Sequence, residues 1–250
     1  MFPFLKSRRQ PQQYFLPDGE RVYAIGDIHG RLDLFEKLLA SIAEDDAERG
    51  AGDSTIILLG DLINRGPDSA GVVQRAKELR EAGGRIVKGN HEEMFVRAAK
   101  GEAKGARALI QMGGIPTLMS YGISQDEAEH GSFQDLADLL VERIPRDHVA
   151  FLDMAEDTIA MGDYLFVHAG IRPGVPLEQQ TSADLRWIRE RFLKAKRNDG
   201  RMVVHGHTPA REIDVQADRI GVDTGAFMWG ILSAVGLEGG ERWFLAASEE

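Results

Sequence analysis

Short apolar runs punctuate the chain, and many of them close on a glycine or a histidine. The runs are Val22–Ile25, Thr55–Leu59, Arg85–Val87, Tyr164–Val167, Met202–Val204, Ile220–Val222, Ile231–Leu237 and Arg242–Leu245. Runs this short and this apolar are predicted to be buried strands rather than helices. Between the first three the period changes. Leu32, Phe35, Leu38, Leu39 and Ile42 fall on one helical face, and Val72, Val73, Ala76 and Leu79 repeat the spacing before Gly83-Gly84 stops it. The order β-α-β-α-β predicts a parallel or mixed sheet in an α/β fold. Residues 100–155 carry a helical pattern at Phe133, Leu136, Leu139 and Leu140, with Gly113-Gly114 and Pro116 interrupting what precedes it, and read as a helical insertion over the sheet. The last third returns to strands with short turns, which predicts a second sheet packed on the first. Residues 1–13, rich in Pro, Gln and Arg, are expected to form a loose tail, leaving 14–250 as a single domain.

Composition narrows the chemistry. Cysteine is absent, which excludes disulfides, zinc fingers, iron–sulfur clusters and thiol catalysis. Any metal must therefore be held by His, Asp, Asn or Glu. The formal net charge of −10 argues against broad nucleic-acid binding, whose affinity comes from neutralising phosphates. Lys194, Lys196, Arg197 and Arg201 form a basic stretch that reads as a solvated helix end. The first residues place their apolar patch before their charges, unlike a signal peptide, and no run approaches the ~18–20 apolar residues of a membrane span. A cytoplasmic location with no membrane partner is the expectation.

Five of the seven histidines stand in or beside motifs at the ends of apolar runs. The other two, His130 and His148, read as surface residues of the helical region. In Gly26-Asp27-Ile28-His29-Gly30, Asp27 and His29 are two apart, so in extended chain both point to one side and both can ligate one ion. In Gly60-Asp61-Leu62-Ile63-Asn64-Arg65-Gly66, the carboxylate of Asp61 can bridge two cations and Arg65 offers a fork for phosphate. In Gly89-Asn90-His91-Glu92, the Asn90 carbonyl suits a hard ion and His91 can give up a proton, while Glu92 and Glu93 read as favouring a helix dipole. His168 closes another run, and His205 and His207 share Val204-His-Gly-His-Thr-Pro209. Any one of these motifs alone matches an ordinary strand–turn–helix junction. Their clustering does not.

In this order the motifs resemble the phosphoprotein phosphatase family of the calcineurin-like metallophosphoesterases, most closely its small bacterial and phage members. The resemblance runs from about Val22 to Ala226 and is patchy through ~100–160, although Gly113-Gly114 and Thr117–Gly122 also look like that branch. It implies a four-layer αββα sandwich with the site at the strand ends. It implies two divalent ions, Mn2+ foremost and Fe or Zn as alternatives, with a water between them attacking phosphorus in line. The first ion would take Asp27, His29 and bridging Asp61; the second would take Asp61, Asn90, His168 and His207. His207 is preferred to His205 because the family's ligand directly precedes Thr-Pro, although both could face the ions. Arg65 and Arg189 match the phosphate-gripping arginines, Asn90 borders the substrate, and His91 matches the general acid. Asp223 falls in a recurrent segment and is given an architectural role.

Asn64 departs from the family pattern, which has Asp there to pair with the histidine matching His91. An amide cannot supply that charge, so turnover is expected to fall. The expected activity is phosphomonoester hydrolysis on phosphoproteins, at serine or threonine, or on small phosphate esters. Two alternatives remain open: hydrolysis of dinucleoside polyphosphates, in a branch that usually carries Gln at the position of His29, and a weakened phospho-ligand binding module. A nuclease is disfavoured by the acidic balance.

Overall fold

The structure, a computed structural model, describes residues 13–197 and 199–249. The expected loose tail therefore lies outside the described residues except for Gln13. The continuous apolar runs form strands because both faces of each are covered. In β1 (Glu20–Ile25), Tyr23 and Ile25 enter one apolar cluster while Val22 and Ala24 enter another. The chain continues through α1 (Leu32–Arg49), β2 (Asp53–Leu58), α2 (Ser69–Glu81), β3 (Arg85–Ile86) and α3 (Asn90–Ala99). β1 pairs with β2 in parallel, as β2 does with β3, so the βαβαβ expectation holds. The buried face of α1 is Leu34, Phe35, Leu38, Leu39 and Ile42; Leu32 is only partly covered. Asp68 starts α2 by accepting from Gly71 N at 2.8 Å.

The region from 100 to 155 holds α4 (Ala103–Gln111), α5 (Ile115–Ser120), α6 (Gln125–Glu129), α7 (Phe133–Arg143) and α8 (Arg146–Asp153). Leu109, Leu118, Leu136, Leu140 and Leu152 join the cluster already formed by α1, α2 and β1. Phe133 points outward instead, and His148 is buried rather than on the surface. The reason is a chain of hydrogen bonds: His148 Nδ1 lies 2.9 Å from Tyr121 Oη and its Nε2 3.3 Å from Gln74 Oε1.

The remaining elements are β4 (Thr158–Met161), β5 (Tyr164–Val167), α9 (Ser182–Trp187), α10 (Glu190–Leu193), β6 (Met202–His205), β7 (Asp214–Val215), β8 (Arg219–Gly221), α11 (Ala226–Trp229), β9 (Ile231–Glu238) and β10 (Glu241–Ser248). They do not all enter the second sheet. One sheet has the order β10-β9-β1-β2-β3 and the other β4-β5-β6-β8-β7. The C-terminal hairpin crosses back because Ile231–Glu238 pairs antiparallel with β1. Three apolar clusters mark three interfaces. One lies between the helices and the first sheet, one between the sheets (Val22, Val87, Phe166, Val204, Val222, Val235), and one between the second sheet and α9–α10 (Leu165, Val203, Leu185, Phe192). Three interfaces make four layers, the expected αββα sandwich.

The basic stretch is not simply solvated. Lys194 is exposed, but Arg197 is held against Phe192 and Asp218. Among the described residues no helix is long and apolar enough to cross a membrane.

Candidate metal centre

The loops that carry the motifs leave the carboxyl ends of parallel strands, where an open α/β sheet forms its crevice. Asp27 and His29 follow β1, Asp61 and Arg65 follow β2, and Asn90 and His91 open α3 just beyond β3. His168 follows β5 and His207 follows β6, so both sheets contribute. His29, Asp61, Asn64, Arg65 and His207 have φ of 48°, 51°, 72°, 71° and 65°, the only positive values at non-glycine positions among the described residues. Left-handed backbone costs on the order of 1–3 kcal/mol, least for Asn, Asp and His, and here it gathers around one cavity. Two glycines are required by proximity: a Cβ on Gly89 would overlap Asp61 Oδ1, and one on Gly206 would overlap Asp27 Oδ1.

Asp61 divides the side chains into two groups. Its Oδ2 lies 3.8 Å from His29 Nε2 and 3.7 Å from His91 Nε2, and its Oδ1 lies 3.3 Å from His168 Nε2. Asp27 Oδ2 is 3.9 Å from His29 Nε2, and Asp27 also accepts from His207 N at 3.0 Å, joining the two sheets. His168 Nε2 lies 3.0 Å from Asn90 Oδ1 and 3.1 Å from His207 Nδ1. Ligand atoms of His29, Asp61 and His91 lie within 4.8 Å of one another, as do those of Asp61, His168 and His207. Arg65 Nη1 donates to His29 Nε2 at 3.0 Å, and Arg189 Nε donates to His207 Nε2 at 3.1 Å. Asp27, His29, Asp61, Arg65, Asn90, His91, Arg189 and His207 line one cavity of about 170 Å3, whose outer wall is Pro209, Phe227 and Met228.

The rings are oriented for ligation. His29 Nδ1 donates to Ile63 O at 2.8 Å and His168 Nδ1 to Leu59 O at 2.8 Å. Each bond turns Nε2 inward, the usual support for a metal-binding histidine; on His29 it presents a lone pair, and on His168 a proton that a cation would displace. Burial pushes His29 down to about 3, His91 to about 4 and His207 to about 2, which keeps them neutral. Burial and the charges of Asp223 and Asp61 raise Asp27. For His168, burial opposes a proton, but Asp61 and Asp27 outweigh it and push the ring up to about 10. Oxygen and imidazole donors around concentrated negative charge fit divalent cations.

Asp27, His29, Asp61, Asn64, Arg65, Asn90, His91, His168, Arg189 and His207 meet here. His205 does not: it packs edge-on against Phe192 at 5.1 Å between ring centroids, with its Nε2 3.5 Å from Arg219 Nη1. Glu92 does more than favour a helix dipole. Fully buried, it accepts from Asp61 N at 2.7 Å, Leu62 N at 2.8 Å and Gly89 N at 2.9 Å, tying the loops after β2 and β3 together. Only the bond to Gly89 was signalled in the sequence, since a glutamate three residues into a helix reaches back to its start; Asp61 and Leu62 are remote in the chain. Glu92→Gln turns one acceptor into a donor facing an N–H. The expected cost is about 3 kcal/mol, read as a fall of roughly 6–12 °C in Tm; a change under about 2 °C would refute the clamp.

The chain is 30% identical over 218 residues to serine/threonine-protein phosphatase 1 of Salmonella typhimurium, covering 85% of this chain and 89% of that one. It is 30% identical over 158 residues to the symmetrical bis(5'-nucleosyl)-tetraphosphatase of Nitrosospira multiformis, covering 63% of this chain but only 46% of that one. A solved structure provisionally described as a diadenosine tetraphosphatase superposes with a TM-score of 0.66 at 25% identity, covering 96% of this chain and all of its own. Residues 20–227 match the calcineurin-like phosphoesterase model. With its motifs meeting between two sheets in that fold, the chain belongs to the calcineurin-like phosphoesterase family.

Proposed function

We propose that the chain is a two-metal-dependent phosphomonoesterase acting on phosphoserine or phosphothreonine. The observation that carries the reading is Asp61, whose two oxygens face two separate sets of donors. Asp27, His29 and Asp61 would hold one ion, and Asp61, Asn90, His168 and His207 the other. Two such ions, when bound, neutralise phosphate charge and make water nucleophilic. Although His91 lies near His29 and Asp61, it is assigned to proton donation, because its Nδ1 accepts from Asn64 Nδ2 at 2.7 Å, where Nδ1 of His29 and His168 donates to a carbonyl.

The chain's own groups do the rest. Arg65, beside His29 and His91, and Arg189, beside His207, line the cavity and grip the non-bridging oxygens of phosphate. Asn90 contributes its amide beside them. His91 Nε2 faces the same space and, from a neutral ring, donates a hydrogen bond to the departing oxygen. Manganese is the expected metal, by the oxygen and nitrogen donor set.

The similarity that spans nearly all of both chains supports a protein phosphatase. The whole-chain structural likeness supports the second reading, a dinucleoside polyphosphate hydrolase. Hydrolysis of p-nitrophenyl phosphate, a phosphothreonine peptide and diadenosine tetraphosphate with Mn2+ separates them. Phosphate release from the first two is the expected result. Nucleotide products from the third without turnover of the peptide would transfer the assignment.

A further inference from the structure

Behind His91 lies a closed set of hydroxyls and one amide. Thr117, on α5, and Ser69, which opens α2, are both fully buried. Thr117 Oγ1 is 2.9 Å from Asn64 Oδ1, 2.9 Å from Asn64 N and 2.8 Å from Ser69 Oγ. Asn64 N also donates to Ser69 Oγ at 3.1 Å, and the Asn64 side chain meets His91 Nδ1 at 2.7 Å. A half-turn of the amide exchanges its oxygen and nitrogen, so two arrangements must be compared by counting hydrogens.

In the first, Ser69 donates to Thr117, Thr117 donates to Asn64 Oδ1, and Asn64 Nδ2 donates to His91 Nδ1. Every hydroxyl hydrogen finds an acceptor. In the second, Asn64 Nδ2 donates to Thr117, Thr117 donates to Ser69, and the hydroxyl hydrogen of Ser69 has no acceptor among the described residues. An orphaned buried hydrogen is costly, so the first arrangement is favoured. It leaves Nδ1 of a neutral His91 as acceptor and its proton on Nε2. Arg65 Nη2 lies 3.3 Å from His91 Nε2 with its hydrogen directed at that atom, so a proton on Nε2 sets two donors face to face and turns the Arg65 N–H toward the open cavity as a second donor. Two converging donors suit an oxyanion there.

We propose that Thr117 is a positioning residue, fixing the Asn64 amide through its hydroxyl and thereby holding His91 with its proton on Nε2, toward the cavity. The helical region thus sets the tautomer of a residue on the far side of Asn64. The tautomer itself is independent of the function proposed above; only the kinetic consequence rests on that reading.

Nitrogen-15 NMR of the full chain, with and without diamagnetic Zn2+, tests it, His91 being assigned by the loss of its signals in His91→Gln. The expected pattern is a pyridine-type Nδ1 and a pyrrole-type Nε2 in the unsubstituted chain and in Thr117→Ser, and a mixed or reversed pattern in Thr117→Val. The reverse pattern in the unsubstituted chain, or an unchanged one in Thr117→Val, overturns the proposal. If the valine variant does not fold, the pattern in the unsubstituted and serine chains still decides. In the kinetic arm, Thr117→Val lowers kcat on an alkyl phosphate about tenfold, part of the ~10^2–10^4 a positioned proton donor contributes, and leaves KM unchanged. A normal rate with an altered tautomer would sink the role of His91 and leave the positioning role standing.

Discussion

Replacing Asp61 with asparagine is expected to lower metal-dependent kcat by on the order of 10^3-fold or more, about 4 kcal/mol. Asp61 is where the two donor sets meet, Oδ2 turned toward His29 and Oδ1 toward His168. Asparagine keeps the shape but offers one acceptor, so one set loses its anionic oxygen and gains an N–H. It also removes the charge that holds a proton on His168. The fold should survive, because the three bonds to Glu92 use the main chain around Asp61 and Gly89. Calorimetric titration with Mn2+ should show two ions bound by the unsubstituted chain and at most one by Asp61→Asn. Chelator treatment of the unsubstituted chain should match the variant's rate. A variant that retained full turnover would remove the bridging role and the two-metal reading with it.

Asn64→Asp is expected to act in the opposite direction, raising kcat on an alkyl or peptidyl phosphate by on the order of 10^2–10^4-fold. The scale comes from exchanges between these two side chains beside a catalytic histidine. Asn64 is fully buried, so a carboxylate there would be stable only with His91 protonated beside it. The resulting imidazolium is a far stronger proton donor than the neutral ring that Asn64 supports. Thr117 would still donate to the new carboxylate, so the local geometry should hold. The gain should be small on p-nitrophenyl phosphate, whose leaving group departs without help. Equal rates for both chains on the alkyl ester would refute the role of His91 as donor.

The layers were legible in the sequence wherever a strand is covered on both faces, as in Val22–Ile25 and Tyr164–Val167, because burial leaves an uninterrupted apolar run. Thr158–Met161 escaped notice as a four-residue strand at the edge of its sheet, with exposed and buried positions mixed. The return of Ile231–Glu238 to the first sheet escaped too, since no local signal tells a strand which distant partner it will find. In the site, Asp27, Asp61, Asn90 and His168 declared themselves by following apolar runs. The three-way grip of Glu92 and the hydrogen-bond direction at Asn64 did not, because each depends on groups that the fold alone brings together. His148 misled for the same reason: Tyr121 and Gln74, which make it a core residue, are remote in sequence.

The strand order also bears on how the molecule is made. β1 is central in its sheet, yet its neighbour β9 leaves the ribosome after every other strand but β10. Until then one edge of β1 is unpaired, with Val22–Ile25 ready to join any other open edge. Asp27, His29, Asp61 and Asn90 are synthesised first and His207 long afterward. The ligands proposed for the first ion would therefore be complete while the second still lacked His168 and His207, on a sheet still missing two of its five strands.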